Sequence, residues 1–512
     1  MSRSPRRLRA ARDGCRALVV IVCGLALVTG CQAQASPVPT GTGMLATPLL
    51  TPGPTAAAPS VSAEGQWEPA GSLSLQRLDA RAARLGDGSV LVVGNEFLPE
   101  GPDWTTTAEV WDRATGSWAP TATLGKFREY FAVAELADGR VLVTGGLNGD
   151  EPRRSYSSAY VYDGRPGHDD WTKVGLMGSA RTAPAVAVLA DGRVLVAGGY
   201  FYTGMLEETG ATDGPGLVEG LAAVPGALLA AARFVAPRPS ESPRPPLDDV
   251  DMPPHGYALA TAELFDPASG TWAPSGSMVF ARAGASAVTL ADGRVLIVGS
   301  TDLSVTEVDR RAYETAEIYD PDTGRFTLTG QLPGTDRDAI EDLGVSLPES
   351  DPEPATNGKL VALADGGAAL IAKTVWWKHE GELGRSFRYD GTTGQWEEIG
   401  QPCAWRMNHA TGELAQTPGV CRVDAQAATL PDGRVLVAGG QQAYQNVSLG
   451  STSAELYDPT TNSWSPQSPM PEARAGGAAV VLADGSVLII GGIGGYKEDA
   501  LDILTSAVRF IP

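Results

Sequence analysis

The segment LADGRVLVAGG, from Leu189 to Gly199, recurs almost unchanged as LPDGRVLVAGG from Leu430 and as LADGSVLIIGG from Leu482. In each copy an Asp-Gly pair separates two apolar runs. Asp-Gly between apolar runs is a strong β-hairpin signal, because both residues tolerate the positive φ of a two-residue type I′ turn. We therefore expect each copy to form two antiparallel strands joined by a tight turn.

The Asp-Gly signal occurs seven times, with a repeat near 50 residues where no insertion intervenes. Its aspartates are Asp87, Asp138, Asp191, Asp292, Asp365, Asp432 and Asp484. Most copies continue with a strand-like piece such as AELYDP (454–459), a turn ending in Gly, and a strand led by Trp. Four antiparallel strands in each repeat predict an all-β fold, a seven-bladed β-propeller of four-stranded antiparallel blades.

The two ends of the chain predict how the ring closes. The last repeat ends at Phe510 without a Trp strand, whereas Trp67 begins a strand that has no blade of its own. We expect this N-terminal strand to complete the last blade, which removes an exposed sheet edge. Residues 66–512 then form one propeller.

The order Asp-Gly, Gly-Gly, Tyr-Asp-Pro and Gly-x-Trp resembles the Kelch family, including the propeller of galactose oxidase. The resemblance implies the fold more than a function, since this scaffold hosts binding proteins, scaffolds and a few enzymes. Copper-radical oxidases on this scaffold need two His ligands, a Tyr cross-linked to Cys and a second Tyr. The four His of this chain are widely separated, at His168, His255, His379 and His409. We expect no copper site, no other metal and no cofactor.

Residues 1–30 resemble a bacterial lipoprotein signal peptide. Six Arg precede or border an apolar run from Ala17 to Val28, and small residues lead to Cys31. Because the run is short for a membrane span, we expect cleavage and lipidation at Cys31, with a retained transmembrane helix as the alternative. Residues 31–65 are rich in Pro, Thr and Ala and predict a flexible tether. The propeller would then lie outside the cytoplasm, anchored to the bacterial cell membrane.

Charge and cysteine usage constrain the partners. The formal charge is −21, and removal of residues 1–30, with six Arg and one Asp, changes it to −26. An acidic surface disfavours nucleic acid, which needs neutralising Lys and Arg. Two of the five cysteines leave with the signal peptide, which leaves Cys403 and Cys421 beside the lipidated Cys31. In an oxidising compartment this pair predicts a disulfide, with a two-cysteine metal site as the weaker alternative. We expect a monomer.

Antiparallel order separates the two ends of every blade. Both short turns lie at one end, and the longer connections lie at the other, which we call the long-loop face. The insertions at this face are about 200–257, 331–355, 372–385, 397–421, 441–452 and 493–504. Long loops on a rigid scaffold are where binding usually occurs. The sequence therefore predicts the working face, but the role of the 200–257 insertion stays open between a lid, a partner contact and a membrane contact.

An Arg row marks the start of the first strand at this face, ten residues before the Asp of the turn. Its members are Arg77, Arg128, Arg181, Arg282, Arg422 and Arg474. By resemblance to Kelch domains, these residues are candidates for binding acidic ligands or peptides through their guanidinium groups. The structural alternative is that each pairs with a Glu of the Ala-Glu piece and joins the blades, as repetition in six blades favours.

The repeat around Asp365 departs from the pattern. Its Arg, its Gly-Gly and its Ala-Glu piece are all replaced, and it carries aromatic and polar residues near the long-loop face. The next connection adds a second set, so that the candidates in this region are Trp376, Trp377, His379, Arg406 and His409. Departures from a repeat are where function overrides fold, and aromatic groups beside hydrogen-bonding groups suit a sugar or a peptide. Ordinary packing of the Trp pair is the alternative.

These observations predict a lipid-anchored propeller that binds a protein, peptide or glycan at the cell surface through its long-loop face. The first alternative is a sugar epimerase, a mutarotase or another cell-envelope carbohydrate enzyme, which would use Arg and carboxylates at the channel mouth. The second is a structural surface scaffold. Of these, binding without catalysis is our expectation, because no catalytic set of residues stands out in the sequence.

Overall fold

A computed structural model describes residues 65–96, 105–149, 153–165, 170–202, 256–300, 311–333, 358–377, 381–399, 404–407, 414–417, 424–444, 447–497 and 500–512. In these ranges the chain forms seven four-stranded antiparallel sheets. The first strand of each sheet contacts the first strand of the next, and the seventh contacts the first. The fold is a seven-bladed β-propeller around a central channel, as the sequence predicts.

The strands of each blade run from the inner first strand to the outer fourth strand. Blade 1 comprises Arg77–Arg84, Val90–Glu96, Thr106–Asp112 and Ser117–Pro120. Blade 2 comprises Ala132–Glu135, Val141–Thr144, Ala159–Tyr162 and Trp171–Lys173. Blade 3 comprises Ala185–Val188, Val194–Ala197, Thr261–Asp266 and Thr271–Ser277. Blade 4 comprises Ser286–Thr289, Val295–Val298, Thr315–Asp320 and Arg325–Gln331.

The last three blades have the same strand order. Blade 5 comprises Lys359–Ala362, Ala368–Trp377, Gly381–Asp390 and Gln395–Glu398. Blade 6 comprises Gln426–Thr429, Val435–Ala438, Ala454–Asp458 and Ser463–Pro466. Blade 7 comprises Ala478–Val481, Val487–Ile490, Ser506–Ile511 and, as its outer strand, Gln66–Ser72.

The remaining elements lie in connections at the long-loop face. Four two-stranded ribbons pair Tyr200–Tyr202 with Gly256–Ala258, Ala404–Met407 with Leu414–Thr417, Gln441–Tyr444 with Val447–Gly450, and Ile493–Lys497 with Ala500–Ile503. One short helix spans Arg311–Glu314. In the described ranges no helix has the length and apolarity needed to cross a membrane. The apolar part of the 200–257 insertion lies outside these ranges.

The Asp-Gly turns differ from the expected type I′ geometry, and that prediction is wrong. In blade 4, Leu290 N donates to Arg294 O and Gly293 N donates to Leu290 O, so the loop has three residues rather than two. Only the Gly has positive φ, between 82° and 89° in the seven turns. This is a type I turn followed by a left-handed Gly in a bulge. The Asp contributes its carboxylate instead, since Asp292 Oδ1 accepts a hydrogen bond from Arg294 N at 3.0 Å.

The ring closes as the sequence predicts. Gln66–Ser72 pairs antiparallel with Ser506–Ile511, with Trp67 opposite Phe510. The indole of Trp67 packs on the Phe510 ring at a centroid distance of 5.0 Å. Its Nε1 also donates to Ser468 O of blade 6 at 2.7 Å. The N-terminal strand therefore completes blade 7 and joins it to its neighbour.

The outer Trp residues join further blades in the same way. Trp118 donates through Nε1 to Ala70 O at 2.9 Å, Trp171 to Ala122 O at 2.8 Å, and Trp272 to Gly175 O at 2.8 Å. Each acceptor lies at the outer edge of the preceding blade. An indole N–H in a partly buried position usually finds such a partner, so the Trp of each repeat in this part of the ring is a structural link between blades.

Candidate functional site

The five described members of the Arg row share one set of contacts. Their side chains are buried, at 0% to 3% exposure. Each donates to the carbonyl oxygen 17 residues ahead, as Arg181 does to Gly198 O at 2.8 Å and Arg474 to Gly491 O at 2.9 Å. Each also donates to the hydroxyl that opens the third strand, as in Arg282 to Thr315 Oγ1 at 2.9 Å. At the long-loop face, each guanidinium thus connects the first strand of its blade to the third strand.

Three of these Arg also pair with a buried Glu. The distances from Arg77 to Glu109, from Arg181 to Glu263 and from Arg282 to Glu317 are 2.8, 2.9 and 3.0 Å. Each pair lies within one blade rather than between two, which corrects that detail of the structural alternative. The carboxylate makes the connection to the previous blade, because it also accepts backbone N–H groups of the incoming segment.

Arg128 and Arg474 have no Glu in the corresponding third-strand position. Arg128 lies over the ring of Tyr156, with its guanidinium carbon 4.2 Å from the centroid, and donates to Ser158 Oγ at 2.9 Å. Arg474 has only the half-exposed Glu472 at 3.5 Å. Burial lowers the pKa of both residues to about 10, which reflects weak compensation for a buried charge.

The contacts of this row favour the structural alternative. A ligand would have to displace buried intramolecular hydrogen bonds to reach these guanidinium groups, and their ligand-binding role stays a prediction. Arg422, His379 and His409 lie outside the described residues, as do Cys31, Cys403 and Cys421. Trp376 and Trp377 lie at the end of the second strand of blade 5, and Arg406 lies in the ribbon Ala404–Met407. The structure does not describe the side chains of these three residues.

Two residues after each Arg, the chain turns through a corner with positive φ. The described corner residues are Asp79, Tyr130, Ala183, Gly284, Asp424 and Gly476, with φ between 49° and 62°. Consecutive corners are hydrogen-bonded: Tyr130 N donates to Asp79 Oδ2 at 2.6 Å, Ala183 N to Tyr130 O at 2.7 Å, and Gly284 N to Ala183 O at 2.7 Å. These corners surround the channel at the long-loop face, and we call them the mouth.

Residues other than Gly are strained at such φ values, by about 1–2 kcal/mol each. Gly occupies the corner in blades 4 and 7, whereas Asp79, Tyr130 and Asp424 place carboxylate or phenol groups there. Tyr130 is 41% exposed. Strained polar residues in a shared backbone position are typical of binding sites.

A second row lies two residues further along the first strands, six residues before the Asp of the turn. Blades 2, 3 and 7 have Ala there, at Ala132, Ala185 and Ala478, whereas blades 1 and 5 have cations, Arg81 and Lys359. Arg81 forms an ion pair with Asp79 at 2.7 Å. Lys359 begins the first strand of blade 5, opposite Ile371. Blades 1 and 5 therefore carry cations at a position where the Ala residues of blades 2, 3 and 7 are buried.

The charged groups of blades 1, 5 and 6 act on one another at this face. The side chain of Lys359 contacts solvent, yet surrounding protein desolvates it and, with the positive charge of Arg81, lowers the pKa of its ammonium. The opposing charges of Asp424 and Asp79 act in the other direction. Desolvation also raises the pKa of the Asp424 carboxyl, against the effect of Lys359.

A groove also opens at the other end of the channel. It has a volume of about 640 Å³ and is lined by turn residues of blades 1 and 2, including Asp87, Asp138 and the pair Arg84–Glu135. That pair is 2.9 Å apart with both side chains more than one-third exposed. Its charges are neutralised locally, so the groove has less to offer a charged ligand than the mouth.

The mouth residues were missed in the sequence, although their signal was present. Alignment of the seven repeats on the Asp of the turn would have shown Ala or Gly in three blades at each of these two positions, and polar, charged or aromatic residues in the other four. The repeated Arg drew attention instead because it recurs in six of the seven blades. In a repeat protein, however, the irregular positions carry the specific information.

Comparison with known proteins agrees with the repeat pattern. Residues 426–471 match the Kelch motif family. The Kelch-like protein terF of Aspergillus terreus (strain NIH 2624 / FGSC A1156) is 30% identical over 191 residues, which is 36% of this chain and 37% of that protein. The chain is a Kelch-repeat propeller. The match spans well under half of the Aspergillus relative, so it does not extend to that protein as a whole.

A solved structure supports the same fold for this Kelch-repeat propeller. A fungal alcohol oxidase of the AA5 family, in complex with copper, superposes with a TM-score of 0.52 at 18% identity, covering 88% of this chain and 76% of the oxidase. At that identity the likeness concerns the fold alone. Within the described ranges, no three His, Cys, Asp or Glu side chains are grouped to hold a metal ion.

Proposed function

We propose that this Kelch-repeat propeller binds a ligand or protein partner at its long-loop face, with the channel mouth as the centre of the site. One observation carries the proposal. Blades 1, 2, 5 and 6, which are far apart in sequence, bring Asp79, Arg81, Tyr130, Lys359 and Asp424 to one end of a single channel.

The setting favours recognition rather than stability. Lys359, Asp424 and Tyr130 are exposed, and Asp79 and Arg81 are partly exposed, so a ligand can reach these polar groups. The corners that present these groups are fixed by hydrogen bonds between blades. A rigid scaffold lowers the entropy cost of binding. Both signs of charge are present, which suits a ligand with several hydrogen-bonding groups, such as a peptide or a glycan.

The binding proposal is tested on peptide and glycan arrays with the domain of residues 65–512. The variant Asp79→Asn/Asp424→Asn keeps the size of both side chains and removes two charges from the mouth. We expect it to lose at least about tenfold in affinity for whichever array member the unmodified domain binds. The matched control is Arg84→Gln/Glu135→Gln, which removes an ion pair at the opposite end of the channel. Equal loss in both variants would count against the mouth as the site.

We further propose that the propeller is exported and anchored through a lipid on Cys31, with the disulfide Cys403–Cys421 formed after export. The basic segment, the apolar run and the small residues before Cys31 support this proposal. The expected result is incorporation of labelled palmitate into the membrane fraction, and release of the Cys31→Ala variant from that fraction. Equal membrane association of the variant would contradict the anchor.

A further inference from the structure

The seven turn aspartates differ in one contact. In every turn, Oδ1 of the Asp accepts the backbone N–H two residues later, as Asp87 does from Ser89 at 2.9 Å. In six turns, Oδ2 also binds an Arg side chain of the propeller; these turns are at Asp138, Asp191, Asp292, Asp365, Asp432 and Asp484. Among the described residues, no hydrogen bond or ion pair involves Oδ2 of Asp87. Asp87 is therefore the exception.

The six Arg side chains come from two positions of the repeat. In blades 2, 3, 4 and 6 the Arg follows the Asp by two residues, and its Nε and Nη2 both reach Oδ2, as Arg294 does with Asp292 at 2.7 and 2.6 Å. Blades 5 and 7 have a small residue there. In these two blades an Arg of the third strand binds Oδ2 instead, Arg388 in blade 5 and Arg509 in blade 7.

Blade 1 has neither of these Arg residues. Ser89 occupies the position two residues after the Asp. Each third-strand Arg lies opposite the residue four positions after the Asp, and in blade 1 Val110 lies there, opposite Leu91. The repeat therefore supplies a cation to every turn carboxylate except that of Asp87. Because the turn itself uses only Oδ1, Oδ2 can accept a hydrogen bond from outside the chain.

Asp87 lines the groove of about 640 Å³ at the end of the channel opposite the mouth. The other charged residues that line this groove are each paired with an opposite charge: Arg84 with Glu135, Arg113 with Asp484, and Asp138 with Arg140. Leu85, Leu136 and Val188 add apolar surface to its lining. A side chain with an apolar stem and a cationic end would contact both parts of the lining.

We propose that this groove binds an Arg side chain of a partner protein, with Oδ2 of Asp87 as the acceptor of its guanidinium group. The partner's guanidinium would take the place that Arg294 and its counterparts hold in the other blades. All six internal cations are Arg, whose planar fork suits a carboxylate better than a point charge does. The formal charge of −21 also attracts a cationic partner. This site is separate from the mouth and does not depend on the binding function proposed there.

The experiment uses acetyl-arginine amide as the probe and acetyl-citrulline amide as its uncharged isostere. Ligand-observed NMR titrations measure the affinity of each for the full chain. We expect the arginine probe to bind at least about fivefold more tightly, because the citrulline side chain has nearly the same shape but no charge. Equal affinity of the two probes would overturn the proposal.

Asp87→Asn removes the charge of the acceptor and should lower the affinity for the arginine probe at least about fivefold. The matched control is Asp292→Asn, which changes the same turn position in a blade whose carboxylate is already bound by Arg294. This control should leave the affinity unchanged. A loss of equal size in both variants, or no loss in Asp87→Asn, would show that the groove does not recognise the cation through Asp87.

Ser89→Arg tests the site without removing the carboxylate. This variant gives blade 1 the Asp-Gly-Arg turn of blades 2, 3, 4 and 6, so an internal guanidinium should bind Oδ2 of Asp87 and exclude the probe. Urea unfolding checks that the variant is folded. Undiminished binding of the arginine probe to the folded variant would contradict the proposal.

The mouth also has carboxylates within reach of solvent, and the same probe separates the two sites. Asp79→Asn/Asp424→Asn should leave the affinity for the arginine probe unchanged while it weakens binding of the array ligand. If this variant loses the arginine probe and Asp87→Asn does not, the cation binds at the mouth and the groove site is wrong. Loss of the probe in Asp87→Asn alone would support the groove even if the mouth bound no array member.

Discussion

Two rows of residues lie side by side at the long-loop face, and they serve different purposes. The five described members of the Arg row repeat the same contacts, from the first strand of a blade to its third. The mouth, only two residues further along, differs from blade to blade. Its backbone corner is constant, but its side chains range from Gly to Asp and Tyr. The contacts that repeat from blade to blade are therefore the ones that the fold requires. The side chains that vary on a constant backbone corner are the ones that a ligand could distinguish.

Arg282→Met tests the structural role of the Arg row and should have the largest effect on stability. This change removes a guanidinium that is fully buried against Glu317 and leaves that carboxylate without its cation. Breaking a buried pair on one side costs about 3–5 kcal/mol, and we expect a loss of that size in the free energy of unfolding, measured with urea. The control is Arg165→Met, whose pair with Asp163 is largely exposed and should contribute about 0–1 kcal/mol. Similar losses in the two variants would contradict the structural role of the row.

Arg474→Met sharpens the comparison within the row. Arg474 has no interior Glu, so its removal leaves the carbonyl of Gly491 without this donor rather than leaving a buried charge, while the hydroxyl of Ser506 still donates to Glu472. We expect a smaller loss than for Arg282→Met, about 1–3 kcal/mol. The same urea titration checks the order of the two variants. A larger loss for Arg474→Met would show that the Glu partner is not what makes the row stabilising.

Lys359→Gln tests whether a residue beside the mouth contributes to stability. Because Lys359 has no hydrogen bond or ion pair among the described residues, we expect the free energy of unfolding to change by no more than about 0.5 kcal/mol, or to rise. The measurement is again urea unfolding, with Arg282→Met beside it. A loss comparable with that of Arg282→Met would place Lys359 with the structural residues.

The short turns should have the smallest effect, visible in the pH dependence of stability. Burial alone would raise the pKa of Asp292, but hydrogen bonds from the side chain and backbone of Arg294 lower it below 3.8. A carboxyl group whose pKa is lower in the folded state than in the unfolded state stabilises the fold at any pH above the unfolded-state pKa. That stabilisation is lost as the pH falls through the folded-state pKa. Asp292→Asn should therefore reduce the loss of stability between about pH 5 and pH 2. An unchanged pH profile would contradict this contribution.

The sequence predicted the ring because its signals were local and repeated. Asp-Gly between apolar runs, the Trp-led outer strand and the unmatched Trp67 were enough to predict the number of blades and the closure. The turn type was wrong because Asp-Gly fits two kinds of hairpin loop, and only the hydrogen bonds distinguish a two-residue loop from a three-residue loop. The within-blade pairing of Arg and Glu depends on how the strands register, which sequence spacing leaves open.

The candidate site was less predictable for a physical reason. Lys359 and Asp424 are 65 residues apart, Asp79 lies 280 and 345 residues before them, and the three come to one face only because the ring is closed. No local motif joins them. The left-handed corner at Asp79 and Asp424 is equally invisible without the backbone, since Asp tolerates but does not require that conformation.

The closing strand sets the order of events during folding. Gln66 pairs with Ile511, 445 residues later, so the first strand of the propeller to be synthesised is the last to find its partner. At about 5–20 residues per second, synthesis of the intervening chain takes roughly 20–90 s, during which Trp67 has no neighbour to pack against. Every truncation that removes Ser506–Ile511 would leave blade 7 without both the strand it makes itself and the strand it receives from the N-terminus. Completeness of the chain is therefore a condition for a closed ring, and with it for a mouth assembled from blades 1, 5 and 6.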